Sequence, residues 1–525
     1  MKPPSSSRLH DVVIAGAGPV GLLLACELAL ARIDVLVLER DERPEAPLKS
    51  APLGLRGLSV ATAEALHRRG LLEPLLAAGA LRAPQAGHFA AISIDPARVD
   101  RHAWPHHLPG PADTPLAADM STIEAVLATR ARELGVAIRR GVAVTGLDDR
   151  GDDVLVHGGA AQWRARWLVG CDGGRSAVRT LAGFEFAGTE PEFTAYSALV
   201  DIANPEVLQP GRHATPGGFY MNQPGRIAIA DFDGGAYNRA RPVTLAHLQD
   251  VLRRVSGTAV TLSALHLAAT FTDRARLATT YRRGRVLLAG DAAHVHSALG
   301  GQGLNAGLGD AMNLGWKLAA CVRDTATEGL LESYEAERRP VGQWLLDWTR
   351  AQVAIMRPGA QARALEGLVR DLIATRDGAT YFAGQLWGVS LRYDLGGGHP
   401  LVGRSAPDLA FDGGGRLAEH LRAGRGLLVD LAGAGQLRRA LAPWGDRIRV
   451  VSASARDAPG LAALLVRPDG VVAWASDGGW SAAGLEAAAT RWFGAAHGLP
   501  SPSRAERESA STPTLAGLPD SPTDR

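Results

Sequence analysis

The chain opens with a change of hydrophobic period. DVVIAG, from Asp11, is a short continuous apolar run, GPVGLLLACELALAR has helical length, and IDVLVLER is a second apolar run. A buried strand, a helix and another strand in that order predict a βαβ unit. Residues 41–85 predict loops around one amphipathic helix in ATAEALHRRGLLEPLLAAG. STIEAVLATRARELG predicts a further helix with Ser121 or Thr122 as its N-cap. The segment GVAVTGLDDRGDDVLVHGGAAQWRARWLVG reads as hairpin strands.

From 186 to 274 the pattern turns strand-like, in SALVDI, GFYMN, RIAIADFD and LSALHLAATF. These pieces predict a sheet inserted between two portions of a nucleotide-binding domain, because RVLLAGD then repeats the strand-then-glycine form of the N-terminus. Long helical stretches follow Leu314, the second containing Arg338 and Arg339, which read as a solvated helical face, with an interdomain ion pair as the alternative. Beyond 396, HPLVGRSAPDLAF is a Pro/Gly-punctuated linker into a compact α/β module with Trp480 and Trp492 as core candidates. Residues 498–525 are Pro/Ser-rich and predict a disordered tail.

A length of 525 residues exceeds what one core usually serves, and suggests roughly three domains. Basic and acidic residues number 56 and 54, so charge gives no reason to expect nucleic acid or a membrane surface as partner. Cys26, Cys171 and Cys321 are far apart and form no CxxC, which argues against a metal site or disulfide framework and fits a reducing cytosol. The N-terminus lacks an apolar signal region, and its first apolar run is broken by glycines and Glu27. A cytoplasmic protein is expected.

Three motifs carry chemistry. Gly16, Gly18 and Gly21, with Pro19 and Val20 between them, form a GxGxxG at a strand-to-helix turn. Gly16 permits the tight turn, Gly18 lets backbone approach a pyrophosphate, and Gly21 lets the helix pack on the sheet. Glu39, at the end of the second strand, is placed to bind a ribose diol and would repel a 2′-phosphate, which favours FAD or NAD at this site. The second motif is CDGGRSAVR from Cys171. The third runs from Gly290 through Asp291 to GGQGLN, where a second helix N-terminus points at the site.

These motifs, in this order and at these separations, resemble the class A flavoprotein monooxygenases of the p-hydroxybenzoate hydroxylase fold, and within them the hydroxylases of aromatic polyketides. The resemblance runs through LESYEAERRPVG into the C-terminal module, which is similar to the family's thioredoxin-like domain without CxxC. It implies an α/β fold with residues 1–185 as the first part of an FAD-binding Rossmann-like domain (86–115 lying on the substrate side), 186–274 as a substrate-binding β-sheet domain, 275–395 as the second FAD part with helices, and 396–497 as the thioredoxin-like domain. It also implies FAD, NADPH or NADH as co-substrate, and O₂. Oxygen would pass through a flavin C4a-hydroperoxide to an electron-rich ring carbon of a polycyclic aromatic compound, with no side chain needed as nucleophile. Baeyer–Villiger oxygen insertion, antibiotic inactivation on the same scaffold, and an FAD-binding relative without oxygenase activity are the alternatives. Monomer and homodimer both remain open.

Carried over by position, Gly16, Gly18, Gly21, Glu39 and Arg40 would hold the ADP half of FAD, and Asp291 its ribityl or pyrophosphate region. Gly301, Gly303, Leu304 and Asn305 would lie at the isoalloxazine, while Asp172 is linked to both FAD and NADPH. Three positions depart from the family's pattern: Met120 stands for a Gln, Ala61 for an Arg that Arg56 could replace in space, and Ala298 for a Pro. Tyr220, Met221, Phe232 and the loop Ser297, Ala298, Leu299 are the substrate-contact candidates. His294 and His296, an HxH pair, lack third and fourth ligands nearby, so they read as neighbours of the flavin rather than as a metal site. His102, His106 and His107 read as a loop near the substrate entrance.

Overall fold

The predicted βαβ unit forms the centre of an eight-stranded sheet. In the computed structural model, which describes residues 8–83, 86–238, 241–433, 435–458 and 460–496, strand Leu9–Ala15 pairs in parallel with Val35–Glu39 on one side and Ala161–Gly170 on the other. Ala137–Arg140 and Val286–Leu288 extend the parallel array outward, and antiparallel hairpins complete it. Val12, Val13 and Ile14 are 0% exposed because helices cover the sheet. Helix Pro19–Leu30, apolar on every side, packs against Gln302–Val322 and Met120–Glu133. The predicted tail from 498 lies outside the described residues.

Two local expectations change. The single helix read into residues 61–79 is two, Val60–His67 and Leu72–Ala77, broken where Gly70 adopts a left-handed φ of 67°. The break turns Arg68 and Arg69 toward the C-terminal module, where Arg68 donates to the Ala406 carbonyl at 2.9 Å and Arg69 to those of Leu421 and Pro468 at 2.8 and 2.7 Å. Arg69 is also paired with Glu27 at 2.6 Å. Helix Met120–Glu133 starts at Met120 with Asp119 in the cap position, so neither Ser121 nor Thr122 is its N-cap.

The strands between 194 and 272 form a separate five-stranded antiparallel sheet ordered Gly211–Thr215, Gly218–Gln223, Arg226–Asp231, Thr194–Ile202, Leu262–Thr272. Its edge strand Gly211–Thr215 and the helix Leu245–Ser256 were not expected. Leu248, Val251, Leu252 and Val255 line one stripe of that helix, which covers one face of the sheet. Helix Glu332–Met356 runs through Pro340, and Arg376–Trp387 adds a helix that sequence reading did not anticipate.

The C-terminal module has strand order Ile448–Ser452, Gly426–Asp430, Ala463–Val466, Val472–Ser476, with the first pair parallel and the rest antiparallel. Trp492 is 3% exposed and Trp480 packs against the same cluster, so both serve the core. Among the described residues no helix is long and apolar enough to cross a membrane.

Candidate functional site

Four parallel strand ends converge on one edge of the main sheet. Ala15 leads into Gly16, Leu38 into Glu39, Gly170 into Cys171 and Asp172, and Leu288 into Gly290 and Asp291. This carboxyl edge is where open α/β sheets bind ligands. A Cβ on Gly16 would stand 2.4 Å from the Cys171 carbonyl oxygen, and one on Gly21 would stand 2.0 Å from that of Gly16, whereas a Cβ on Gly18 would meet nothing within 4 Å. Two glycines are therefore required by the fold itself, and the third leaves open space for a ligand. Helix Pro19–Leu30 has no side-chain cap and begins with Pro19, so its free N–H groups and positive dipole end face that space. The Glu39 carboxylate is held beside the turn by the N–H groups of Ala17 at 2.6 Å and Asp41 at 2.9 Å. Arg40 is exposed and 3.4 Å from Asp41.

The Gly290–Ala292 turn is fixed by a buried acid that sequence reading missed. Asp310 accepts from the Gly290 N–H at 2.9 Å, from His294 Nε2 at 2.8 Å and from Arg338 Nε at 2.7 Å. Arg338 further donates to the Ala306 carbonyl and the Tyr393 hydroxyl, each at 2.8 Å. Burial alone would raise the Asp310 carboxyl, but Arg338 and His294 hold it below the usual carboxylate value. Arg338 is 3% exposed, which overturns its reading as a solvated side chain, because helix Gln302–Val322 covers that face. Arg339 is half-buried and donates to the Ala278 carbonyl at 3.2 Å. The available signal was Asp310 itself, an acid inside the otherwise apolar and glycine-rich stretch GLGDAMNL.

Asp291 follows Gly290 at this turn. Water reaches its surface, yet protein surrounds it closely enough that desolvation lifts its carboxyl above the usual value; His294 opposes the rise and Asp310 adds to it. Its carboxylate has no hydrogen-bond partner among the described residues, in contrast to Asp310 and Glu39.

Gly300 and Gly301, both left-handed with φ of 79° and 66°, lead into helix Gln302–Val322, which has no side-chain cap. Asn305 ties this start to the neighbouring chain: its Oδ1 accepts from the Ser59 N–H and the Thr62 hydroxyl at 2.8 Å each, and its Nδ2 donates to the carbonyls of Gly57 and Gly301. A Cβ on Gly303 would lie 2.7 Å from His296 Nε2, and Leu304 packs on the main core. Asp172 turns to its own loop, accepting from the Ser176 hydroxyl and the N–H groups of Ala177 and Val178. Arg179 then donates to the carbonyls of Ala292 and Gly174 at 3.0 Å each, drawing the Asp172 and Asp291 turns together.

Burial pushes His296 down to about 4, with His294 adding and the Ser297 carbonyl opposing. His88 is likewise pushed down to about 4, by burial and by Arg212. Both start from 6.5, so the unfolded chain binds protons that the fold refuses, and stability is lost as pH falls from about 6.5 toward about 4. At pH 5 the loss amounts to at most about 2 kcal/mol per histidine. Urea titrations at pH 7 and pH 5 should show it, and His88→Gln should reduce the difference. A stability independent of pH over that window would contradict the burial of both rings.

Residues 10–349 match the family described as FAD binding domain, and residues 399–496 match that described as aromatic-ring hydroxylase, C-terminal. The chain belongs to the FAD-binding aromatic-ring hydroxylases. This hydroxylase is 44% identical to a monooxygenase of Claviceps purpurea (strain 20.1), over 93% of this chain and 98% of that one. It is 39% identical to a rifampicin monooxygenase of Streptomyces venezuelae, over 93% and 99% of the two chains. Among solved structures, the anhydrotetracycline hydroxylase of Streptomyces rimosus superposes with a TM-score of 0.83 at 36% identity, covering 93% of this chain and 100% of that one. The hydroxylase thus has the class A architecture that the motifs resembled.

Its open Gly18, its Glu39 carboxylate and its unpartnered Asp291 fit FAD. On the substrate side, Phe232 and Leu299 pack with Phe193 and Phe219, and Met221 shares the sheet face of Phe219. Tyr220 is on the opposite face, 4% exposed, stacked on His213 and packed under helix Leu245–Ser256, so it is not a substrate contact. The strand phase is one residue away from making it so. Ser297 is 1% exposed with its hydroxyl unpartnered, while Ala298 is exposed. Arg56 donates to the Leu53 and Leu55 carbonyls at 2.9 Å, and the Met120 N–H to that of Gly54 at 3.0 Å. In the histidine loop, His107 Nδ1 lies 3.2 Å from Glu64 and His106 Nε2 3.3 Å from the Val389 carbonyl. A cavity of about 620 Å³ lies between Thr62, Met312, Trp344, Tyr393 and Trp492. Gln302 and Asn305 line it as well, so it reaches the start of helix Gln302–Val322 but neither the turn at 16–21 nor the inserted sheet.

Proposed function

We propose that this hydroxylase is an FAD-dependent, NAD(P)H-consuming monooxygenase that hydroxylates a polycyclic aromatic compound. The observation that carries the reading is the convergence of the glycine cradle, Glu39, the Asp291 turn and the start of helix Gln302–Val322 on one sheet edge, facing the aromatic cluster of the inserted sheet. Residues 1–185 and 275–395 serve FAD, 186–274 the substrate, and 396–497 a supporting thioredoxin-like module.

Gly18, Val20 and Gly21 present backbone N–H groups to the pyrophosphate, Gly16 and Pro19 shape the turn that exposes them, Glu39 accepts from a ribose diol, and Arg40 lies beside it. Asp291 offers the ribityl chain an acceptor that nothing else occupies. Gly301, Gly303, Leu304 and Asn305 form the helix start against the ring, where the helix dipole stabilises negative charge. Asp172 acts by shaping its loop, and Arg56 and Met120 edge the same space. Bound FAD supplies the electron transfer from NAD(P)H and the oxygen transfer from O₂. The protein's part is to orient the aromatic ring and exclude water with Phe219, Met221, Phe232 and the Ser297 to Leu299 loop.

The purified protein should be yellow, should oxidise NADPH faster when a polycyclic phenol is present, and should release a product one oxygen atom heavier with its ring carbons intact. Flavin binding without any aromatic-stimulated NADPH or NADH oxidation would overturn the monooxygenase reading. A product with oxygen inserted between carbons would move it to Baeyer–Villiger chemistry.

A further inference from the structure

Trp344, Tyr393 and Trp492 bring three aromatic rings to the cavity of about 620 Å³ between helix Gln302–Val322, helix Glu332–Met356 and the C-terminal module. Leu308, Met312 and Leu345 extend its apolar wall. Tyr393 and Trp492 are buried, while Trp344 is half-buried and stacked on Trp348 with ring centroids 5.3 Å apart. Close-packed interiors leave few voids larger than a water molecule, and apolar groups that line one lose contacts that a ligand restores. The volume lies within the range of sites for drug-sized molecules, about 300–1,000 Å³.

The buried charges in this wall are already paired. Glu337 and Asp469 are matched with Arg467, Arg338 with Asp310, and Arg68 donates to the Ser405 hydroxyl at 2.7 Å and the Ala406 carbonyl at 2.9 Å. None of them asks for an ionic ligand. Arg392, Asp394 and Arg491 also line the cavity, but they are exposed and water serves them. Two neutral groups differ. The Gln385 carboxamide and the Ser390 hydroxyl are half-buried in the lining and make no hydrogen bond to any described residue. A mainly apolar, aromatic-walled space with a few free neutral donors and acceptors suits a molecule with a flat apolar body and an uncharged oxygen.

We propose that this cavity is a second ligand site, which binds a neutral hydroxylated polycyclic aromatic molecule apart from the one that is oxygenated. Its rings lie against Trp344 and Trp492, and its oxygen meets Gln385 and Ser390. Because Gln302 and Asn305 line the cavity, the occupant rests on the same helix start that serves the flavin, from the side away from the inserted sheet. Binding there does not depend on the oxygenase reading, since it needs no electron or oxygen transfer.

Equilibrium dialysis of the oxidised, FAD-loaded enzyme against 2-naphthol, without NAD(P)H so that nothing turns over, counts the molecules bound per chain. Ala65 lines the cavity from helix Val60–His67, and Ala65→Phe places a ring in the space. That variant should bind one molecule fewer than the native enzyme while its FAD content is unchanged. Gln385→Leu should weaken the same molecule about fivefold, and it decides the matter if the phenylalanine variant does not fold. 2-Naphthoate, which would bring an unpaired carboxylate among Glu337 and Asp469, should occupy the cavity at least about tenfold more weakly. A count that Ala65→Phe leaves unchanged, or an affinity that Gln385→Leu leaves unchanged, would overturn the assignment by placing the bound naphthol elsewhere. Loss of FAD together with the naphthol in Ala65→Phe would also overturn it, because the cavity would then belong to the flavin site. Aromatic-stimulated NADPH oxidation is measured separately, so failure of the oxygenase reading and failure of this second site are distinguishable.

Discussion

Asp310→Ala should empty the FAD site and cost the fold about 3–5 kcal/mol. The carboxylate is 0% exposed and satisfies three donors at once, the Gly290 N–H, His294 and Arg338. Alanine removes the anion and leaves the Arg338 guanidinium buried with only Tyr393 and a backbone carbonyl as partners. The Gly290 N–H loses its acceptor, and the turn that aims Asp291 is no longer held. Asp310→Asn keeps one acceptor oxygen and should fall between the native protein and the alanine variant. Asp291→Asn makes the complementary case, since its carboxylate supports nothing in the protein: FAD retention should drop with little change in stability. Flavin absorbance after desalting and urea denaturation read the two effects separately. An Asp310→Ala protein that keeps stoichiometric FAD and its native midpoint would show that the turn holds itself.

The parts of this site legible in the sequence are those whose chemistry is local. Gly16, Gly18 and Gly21 act through the backbone of one turn, and Glu39 ends the strand that pairs with the strand before that turn, so order and spacing suffice to place them. The Asp310, Arg338 and Tyr393 cluster joins residues on a helix, a second helix and a loop, and no periodicity relates them. Read singly, Arg338 on a charged helix resembles any solvated arginine. Tyr220 and Phe219 show a different limit. Strand alternation predicts that they face opposite sides, but which side is inward depends on a helix, Leu245–Ser256, whose apolar stripe was present in HLQDVLRRV and went unread. Gly70 was visible as well, yet its power to split a helix depended on Arg68 and Arg69 finding partners more than 300 residues away.

The same dependence on distant partners sets the second large effect, at the seam between the flavin-binding part and the C-terminal module. Arg467, 0% exposed, donates two 2.8 Å hydrogen bonds to Glu337, pairs with Asp469, and lies 4.6 Å from the Trp492 ring centroid and 5.3 Å from that of Trp316. Lys317 completes the cluster 3.0 Å from Glu337. Burial and Arg467 together push Lys317 down to about 7, against the pull of Glu337 and Asp469. Burial would raise Glu337, but Arg467 and Lys317 bring it down to about 2. Since that folded value lies below the ordinary 4.5, the carboxylate's contribution is present above pH 4.5 and disappears as pH falls through about 2. Arg467→Met should destabilise the protein by about 3–5 kcal/mol, because two buried acids are left with one ammonium between them. Lys317 should then titrate above 7, having lost its cationic neighbour. Adding Glu337→Leu to Arg467→Met removes one stranded acid, so the double variant should be more stable than the sum of the single losses predicts. Urea midpoints for the four proteins of this cycle give the coupling directly; strict additivity would mean that Arg467 holds the module through its stacked tryptophans and not through charge.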